Sequence, residues 1–352
     1  MVFDAADFRD HEQVTYVSDE QTGLQAIIAV HDTTLGPSLG GTRMRGYETE
    51  DAALTDVLRL SYAMTYKAAA ADLDLGGGKA VIVGEPEHKD EALLRAYGRA
   101  VDRLQGRYIT SVDINTGVDD MDVISEVTEH VVGTSDGLGD PSPITAHGVR
   151  HAMQACVEHV YGRETLADTH VAIQGIGKVG SDLAAGLAER GAEVTVADPN
   201  EGRVEEFVEE HGVESVPPSA IYDVSCDIFA PCAVGGVIND DTIPRLDCDV
   251  VAGAANNMLA EEQRHARALN ERGMLYAPDY VANAGGLITV AKEHTGGTRE
   301  EAFEDAEAIG DRLLGMMEDA DDEGTTVLEA AQRYVENRLD AEGRPAAPTS
   351  SD

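Results

Sequence analysis

Two lysines lie twelve residues apart, Lys67 in Met64-Thr65-Tyr66-Lys67 and Lys79 in Leu75-Gly76-Gly77-Gly78-Lys79, in a chain with only five lysines among its 26 basic residues. An ammonium is a compact point charge suited to holding a carboxylate, and its pKa falls toward the range useful for general acid–base work when another cation crowds it. Two neighbouring lysines can therefore divide binding and proton transfer between them. The plainer alternatives are a Lys67 that snorkels from a helix and a Lys79 that merely precedes a strand. Asp113, in Ser111-Val112-Asp113-Ile114-Asn115-Thr116, ends a predicted strand, where active-site groups of α/β folds gather. Asp119, Asp120 and Asp122 show how common acids are here, and helix capping is the competing role for Asp113.

A second constellation is Gly175-Ile176-Gly177-Lys178-Val179-Gly180, a G-x-G-x-x-G that follows the apolar run HVAIQ and opens the stretch SDLAAGLAER. In that context the first glycine makes a tight turn, the second lets backbone approach a pyrophosphate at a helix N-terminus, and the third permits close helix–strand packing. The next strand ends at Asp198, 23 residues after Gly175, where a carboxylate can accept both ribose hydroxyls and repel a 2′-phosphate. NAD is thus expected over NADP, with Arg203 nearby as the feature that keeps NADP in play. A plain βα turn, with Asp198 as a helix N-cap before Pro199, is the structural alternative.

The elements that must position these residues follow from pattern. Runs at 24–31, 80–84 and 107–112 predict strands, interleaved with helices over 50–70, 90–104 and 118–128. Gly36, Gly40 and Gly41, then Gly76, Gly77 and Gly78, are expected to form two glycine-rich turns. After the Gly/Pro/Ser/Asp cluster at 134–143, a helix over 145–161 leads into strands at 170–174, 193–197, 227–230, 249–253 and 274–277, with helices at 181–190 and 203–211. Alternating β and α with short connections predicts a doubly wound parallel sheet. Helices over 298–320 and 325–341 precede EGRPAAPTSSD, a frayed tail. The expected fold class is α/β: a substrate domain over 1–138, a Rossmann domain over 139–324, and a C-terminal helix over 325–352 that returns to the first domain.

Composition excludes whole classes of function. The formal net charge is −40 and 42% of residues are apolar, with acids spread along the chain, so nucleic acid and anionic membrane surfaces are not expected partners. Cys156, Cys226, Cys232 and Cys248 form no C-x-x-C and no Cys/His metal spacing, so neither a disulfide framework nor a metal site is expected. The opening MVFDAADFRD has no basic segment followed by an apolar one, and no apolar stretch approaches eighteen residues, which predicts a soluble cytoplasmic protein.

The residues above, taken in order, resemble the Glu/Leu/Phe/Val amino-acid dehydrogenase superfamily, its leucine dehydrogenases most of all. The likeness runs over nearly the whole chain, through HDTTLGPSLGGTRM (31–44), MTYK (64–67), LGGGKAVIVG (75–84), GRYIT (106–110), PSPITAHGV (141–149), AIQGIGKVG (172–180), CDIFAPCAVGGVINDDTIP (226–244) and YAPDYVANAGGLI (276–288). The resemblance implies reversible NAD-dependent oxidative deamination of an L-amino acid to a 2-oxo acid and ammonium, two domains closing over a cleft, and a homo-oligomer. It implies that Lys67 binds the substrate carboxylate in a site lined by Gly40 and Gly41. It further implies that Lys79 polarises the carbonyl or imine and activates water, while Asp113 exchanges protons with the substrate nitrogen. By the same likeness Asn283 and Asn257 contact substrate or nicotinamide, and Thr145 contacts the cofactor beside Gly175, Gly177, Lys178, Val179, Gly180 and Asp198. One departure stands out: relatives usually carry Gly in the Asp-Val/Met-Gly-Thr turn, whereas Asn115 stands there in this chain, the side chain that best tolerates positive φ.

The pocket implied by the resemblance draws on Leu39, Ser111, Val132, Leu287 and Val290, none of them cationic. A glutamate side chain would bury a second, uncompensated carboxylate there, so leucine, valine and isoleucine are expected ahead of phenylalanine. Phenylalanine dehydrogenase is the alternative within the family. From outside it come a non-catalytic NAD-binding regulatory protein, which would not need Lys67, Lys79 and Asp113 together, and a hydroxy-acid dehydrogenase, which would need a His base where only His147 of TAHGV is near; His147 reads as a helix-face residue. The lysine-poor acidic surface is expected to be adapted to molar salt, where screening removes the self-repulsion that a charge of −40 imposes. Unfolding followed in KCl from molar to millimolar should therefore show loss of structure on dilution; a chain fully folded in dilute buffer contradicts this.

Overall fold

Residues 24–32, Gln25 excepted, are buried in the computed structural model, which describes residues 2–343; the expected frayed tail lies, from residue 344 on, outside the described residues. The chain divides into two units. The first comprises the residues to Gly139, Val290–Thr298 and the described residues from Val335 on; the second comprises Asp140–Thr289 and Arg299–Tyr334.

In the first unit the elements are β1 (Gln13–Asp19), β2 (Leu24–Asp32), β3 (Ser38–Arg45), α1 (Glu50–Ala70), β4 (Gly76–Val83), α2 (Glu91–Asp102), β5 (Tyr108–Ser111) and α3 (Val118–Ser125). The sheet runs β1-β2-β4-β3-β5, with β1 and β4 antiparallel to β2, and β3 parallel to β4 and β5. Alternate residues of β2 feed two cores. Ala26, Ile28 and Val30 join Met44, Ile82, Tyr97 and Met121, whereas Ile27 and Ala29 join Val81 and the Ala53, Leu54, Val57 and Leu58 stripe of α1. A strand covered on both sides has no polar face, which is why this run lacks alternation. Thr49 caps α1 by accepting from the Ala52 N–H at 3.1 Å, and Asp90 caps α2 from the Leu93 N–H at 2.8 Å.

The two expected glycine turns are corrected. Gly40 and Gly41 are interior to β3, and Gly76, Gly77 and Gly78 open β4; of the first group only Gly36 sits in a turn, at φ +149°. Their lack of side chains serves close approach instead of turning. A Cβ on Gly40 would run into the Gly78 carbonyl, and one on Gly77 into the Thr65 N–H and hydroxyl of α1. These glycines let β3 and β4 crowd together and let α1 lie directly on β4.

The second unit contains α4 (Ser142–Tyr161), β6 (His170–Gln174), α5 (Lys178–Ala188), β7 (Glu193–Ala197), α6 (Glu201–His211), β8 (Glu214–Ser215), β9 (Ile228–Pro231), β10 (Val250–Val251), α7 (Glu262–Glu271), β11 (Leu275–Tyr276), α8 (Asp279–Ala282), the first half of α9 (Gly285–His294), α10 (Arg299–Glu323) and the start of α11 (Val327–Ala341). Its sheet is ordered β11-β10-β9-β6-β7-β8 and every neighbouring pair is parallel. Counted from its own first strand this is 6-5-4-1-2-3, the doubly wound Rossmann order, with the switch point between β6 and β9. Ligands of such sheets bind at the carboxyl ends of the strands beside that point, which is where Gly175 follows β6.

Candidate active site

Lys79 points from β4 and is 7% exposed, so its ammonium needs a counter-charge. Asp113 supplies it: Lys79 Nζ lies 2.8 Å from Asp113 Oδ2. Arg43 of β3 reaches the same oxygen, its Nε at 3.1 Å, while its Nη1 lies 3.1 Å from Asp56 Oδ2 on α1. Asp56 Oδ2 in turn accepts from the Tyr47 hydroxyl at 2.7 Å. Charge thus alternates along Asp56, Arg43, Asp113 and Lys79. Burial on its own raises the Asp113 carboxyl, but the charge and hydrogen bond of Lys79, then the charge of Arg43, outweigh it and hold the group below the usual carboxylate range. Burial lowers the Arg43 guanidinium, and Asp113 and Asp56 more than restore it.

The turn that carries Asp113 is fastened residue by residue to β3. The Thr116 N–H donates to the Asp113 carbonyl at 3.0 Å and closes the turn, and Asn115 takes φ +59°. The left-handed conformation anticipated from Asn in place of Gly is therefore the one adopted. The Met44 N–H donates to the Ile114 carbonyl at 3.0 Å, Asn115 Nδ2 to the Met44 carbonyl at 2.9 Å, and Thr116 Oγ1 to the Thr42 carbonyl at 2.7 Å. Lys89 Nζ then donates to the Asn115 carbonyl at 2.9 Å and pairs with Asp120, whose Oδ2 also accepts the Gly117 N–H at 2.8 Å. Asp113 is thus no helix cap; Gly117 holds that position for α3. Gly41 completes the fit, since a Cβ there would lie 2.8 Å from the Asp113 Cβ. Below, Tyr108 donates its hydroxyl to the Gly40 carbonyl at 2.7 Å, and its ring fills the space a Gly78 side chain would need.

Lys67 sits half-buried in the last turn of α1, the helix that Gly77 admits against β4. Leu39, Ser111 and Val132 are buried in this unit and Val290 is half-buried; Leu287, of the second unit, is buried. Val132 lies beside β5, its N–H donating to the Thr110 carbonyl at 2.9 Å. Arg43, Asp56 and Lys89 were not singled out from sequence. The signal for Arg43 was its place two residues after Gly41, on the same strand face, but it becomes readable only once β3 is recognised as a strand.

In the second unit the three motif glycines differ in their surroundings. Gly175 has φ +97° and lies so near Ala233 that a Cβ would stand 2.6 Å from its side chain; a Cβ on Gly180 would strike the Gly175 carbonyl. Gly177, which precedes α5, has nothing within 4 Å of an added Cβ. The arrangement fits a dinucleotide: tight turn, open helix N-terminus, close helix packing. Asp198 is buried, accepting the Ile176 N–H at 3.0 Å and the Asn200 N–H at 2.9 Å, with Arg203 Nη1 at 3.4 Å. Asn200, not Asp198, caps α6. Lys178 is exposed and pairs with Asp140 at 2.9 Å, and Val179 follows it in the first turn of α5.

Thr145, on α4, donates its hydroxyl to the Pro141 carbonyl at 3.1 Å and lies under Gly285 and Gly286. Asn283 is buried, its Nδ2 donating to the Ala254 and Ala255 carbonyls at 3.1 and 3.2 Å; Asn257 has φ +51° beside Gly235. Burial pushes all four thiols up to about 12, so none is a thiolate at neutral pH. Among the described residues His147, His151 and Glu307 come together, but Arg150 donates to His147 Nδ1 at 2.6 Å, which leaves the ring proton on Nε2, facing Glu307 at 3.1 Å.

Comparison with known proteins places this geometry. Residues 11–130 match the Glu/Leu/Phe/Val dehydrogenase dimerisation domain, and residues 197–343 match the Glutamate/Leucine/Phenylalanine/Valine dehydrogenase domain. The chain belongs to this family of NAD-dependent dehydrogenases. It is 49% identical over 343 residues to leucine dehydrogenase from Thermoactinomyces intermedius, covering 96% of this chain and 93% of that protein. It is 46% identical over 344 residues to phenylalanine dehydrogenase from Bacillus thermotolerans, covering 95% and 90%. The crystal structure of L-tryptophan dehydrogenase from Nostoc punctiforme superposes with a TM-score of 0.89 at 45% identity, covering 98% of this chain and all of that one.

The Asn115 turn gives a stability test. Asn115→Gly keeps the left-handed backbone and loses one hydrogen bond, so it should cost about 1 kcal/mol or less in denaturant unfolding. Asn115→Ala loses the bond and forces alanine to positive φ, for about 2 kcal/mol or more. Equal costs for the two would contradict the fastening described here.

Proposed function

We propose that the protein catalyses NAD-dependent oxidative deamination of branched-chain L-amino acids, leucine, valine and isoleucine. The observation that carries this reading is the buried Lys79–Asp113 pair at 2.8 Å. Overall, amino acid, NAD⁺ and water give 2-oxo acid, ammonium, NADH and a proton. Lys67 holds the substrate carboxylate above Gly40 and Gly41. Asp113 takes a proton from the substrate nitrogen, which frees the lone pair that becomes the C=N bond as hydride leaves Cα. Gly175, Gly177, Gly180, Lys178, Val179, Asp198, Thr145 and Asn257 would hold NAD, which when bound would supply the hydride acceptor. Lys79, having given its ammonium proton to solvent beforehand, takes a proton from the water that attacks the imine carbon, the ammonium so re-formed stabilises the developing oxygen, and Asp113 returns a proton to the departing nitrogen.

Asn283 orients substrate or nicotinamide. Leu39, Ser111, Val132 and Val290 of the first unit, and by the family likeness Leu287 of the second, are assigned to the substrate side chain, and none of them offers a cation to a second carboxylate. Their apolar character, and the 49% identity to a leucine dehydrogenase, support an aliphatic substrate. Aromatic amino acids are the second reading, favoured by the likeness to phenylalanine and tryptophan dehydrogenases. The domain boundaries read from the sequence, a cytoplasmic location and a homo-oligomer belong to the same proposal. The match of residues 11–130 to a dimerisation domain supports the oligomer, and no described helix is long and apolar enough to cross a membrane.

NADH formation followed by absorbance in concentrated KCl, with NAD or NADP against leucine, valine, isoleucine, phenylalanine, tryptophan and glutamate, tests the reading. Turnover should be highest with the aliphatic substrates and NAD. Preference for an aromatic substrate or glutamate would overturn the pocket assignment, and preference for NADP the role of Asp198.

A further inference from the structure

Asp113 has two cations on one oxygen, and they differ in kind. Lys79 is the group whose proton must come and go when water is activated, so for part of each turnover it is neutral. A carboxylate that is mostly buried and paired only with Lys79 would then lose its counter-charge midway and rise in pKa. Arg43 is a guanidinium that stays protonated throughout, and its Nε lies 3.1 Å from Asp113 Oδ2. Its own placement is fixed from behind: Nη1 lies 3.1 Å from Asp56 Oδ2, and Tyr47 holds that oxygen from the other side. The Arg43 side chain is 14% exposed, so solvent does little to screen it. The groups acting on the Asp113 carboxylate include Lys79 from β4, Arg43 from β3 and the Ile114 N–H of its own turn, and α1 contributes Asp56 through Arg43.

We propose that Arg43 is the positioning residue that keeps Asp113 ionised and aimed after Lys79 has given up its proton and until Asp113 takes the one on the substrate nitrogen, an inference that rests on the reading above. Arg43 touches neither water nor substrate in this role. A permanent cation thus stays on the Asp113 carboxylate when Lys79 gives up its proton. Both cations take Oδ2, so the loss of charge on Lys79 leaves Arg43 on the same oxygen.

The test is the pH dependence of kcat/KM and kcat for amino-acid oxidation in wild type, Arg43→Gln and Arg43→Lys. Removing a cation that lowers the Asp113 pKa raises it, so the acid limb of Arg43→Gln should move up by about one pH unit or more. Its kcat should fall at least about tenfold at neutral pH, with the affinity for NAD unchanged. Arg43→Lys keeps a cation and should hold its acid limb within about half a unit of wild type. An acid limb that ignores Arg43→Gln, or one that Arg43→Lys shifts by a full unit, overturns the Arg43 role alone; the second arm serves even if Arg43→Gln does not fold. A wild-type protein that oxidises no amino acid overturns the role together with the functional reading beneath it.

Discussion

A buried ammonium must be balanced, and that demand at Lys79 shapes most of the first unit. Removing one partner of a buried ion pair leaves an uncompensated charge and costs about 3–5 kcal/mol, so Asp113 cannot be placed loosely. The chain meets the demand with backbone. Thr42, Arg43 and Met44 of β3 each hold a different part of the 113–116 turn. The glycines of β3 and β4 remove the side chains that would push the lysine strand, the turn and α1 apart. Tyr97, Tyr108, Thr42 and Thr110 form a buried hydroxyl network beneath the same strands, joined by contacts such as Thr42 to Thr110 at 2.6 Å. That network fixes the floor without adding charge.

The second unit solves a different problem with similar means. Its sheet order alone specifies where a ligand sits, and the three glycines of the motif have three distinct reasons to be glycine: positive φ, open space and close packing. Asp198 is held by two backbone N–H groups and faced by Arg203, so its carboxylate is oriented by the protein itself. Preorganisation of this kind lowers the ordering cost of binding.

Much of this was legible from residue order. The Rossmann series, the long helices and the pairing of a strand-end Asp198 with a glycine motif follow from local pattern, because each element there is short and bounded by its own turns. The lysines stood out because so few others exist. What local pattern did not show was β3, whose glycines read as a turn when its neighbours in space are unknown, and with it Arg43. β1 and β8 also escaped, since both are edge strands, β1 with no fully buried residue and β8 with both of its residues exposed. The Asn115 conformation was legible because it depends on one residue; the role of Lys89 beneath it was not, because it joins positions 26 residues apart.

The central claim is that Lys79 and Asp113 work as one unit. A double-mutant cycle in kcat, with Lys79→Met, Asp113→Asn and the pair together, measures this directly. Residues acting as a unit lose nearly everything at the first substitution, so the double variant should be no slower than the worse single variant by more than about threefold. Losses that multiply across the cycle would mean that the two groups contribute independently, and the account built on their pairing would be wrong.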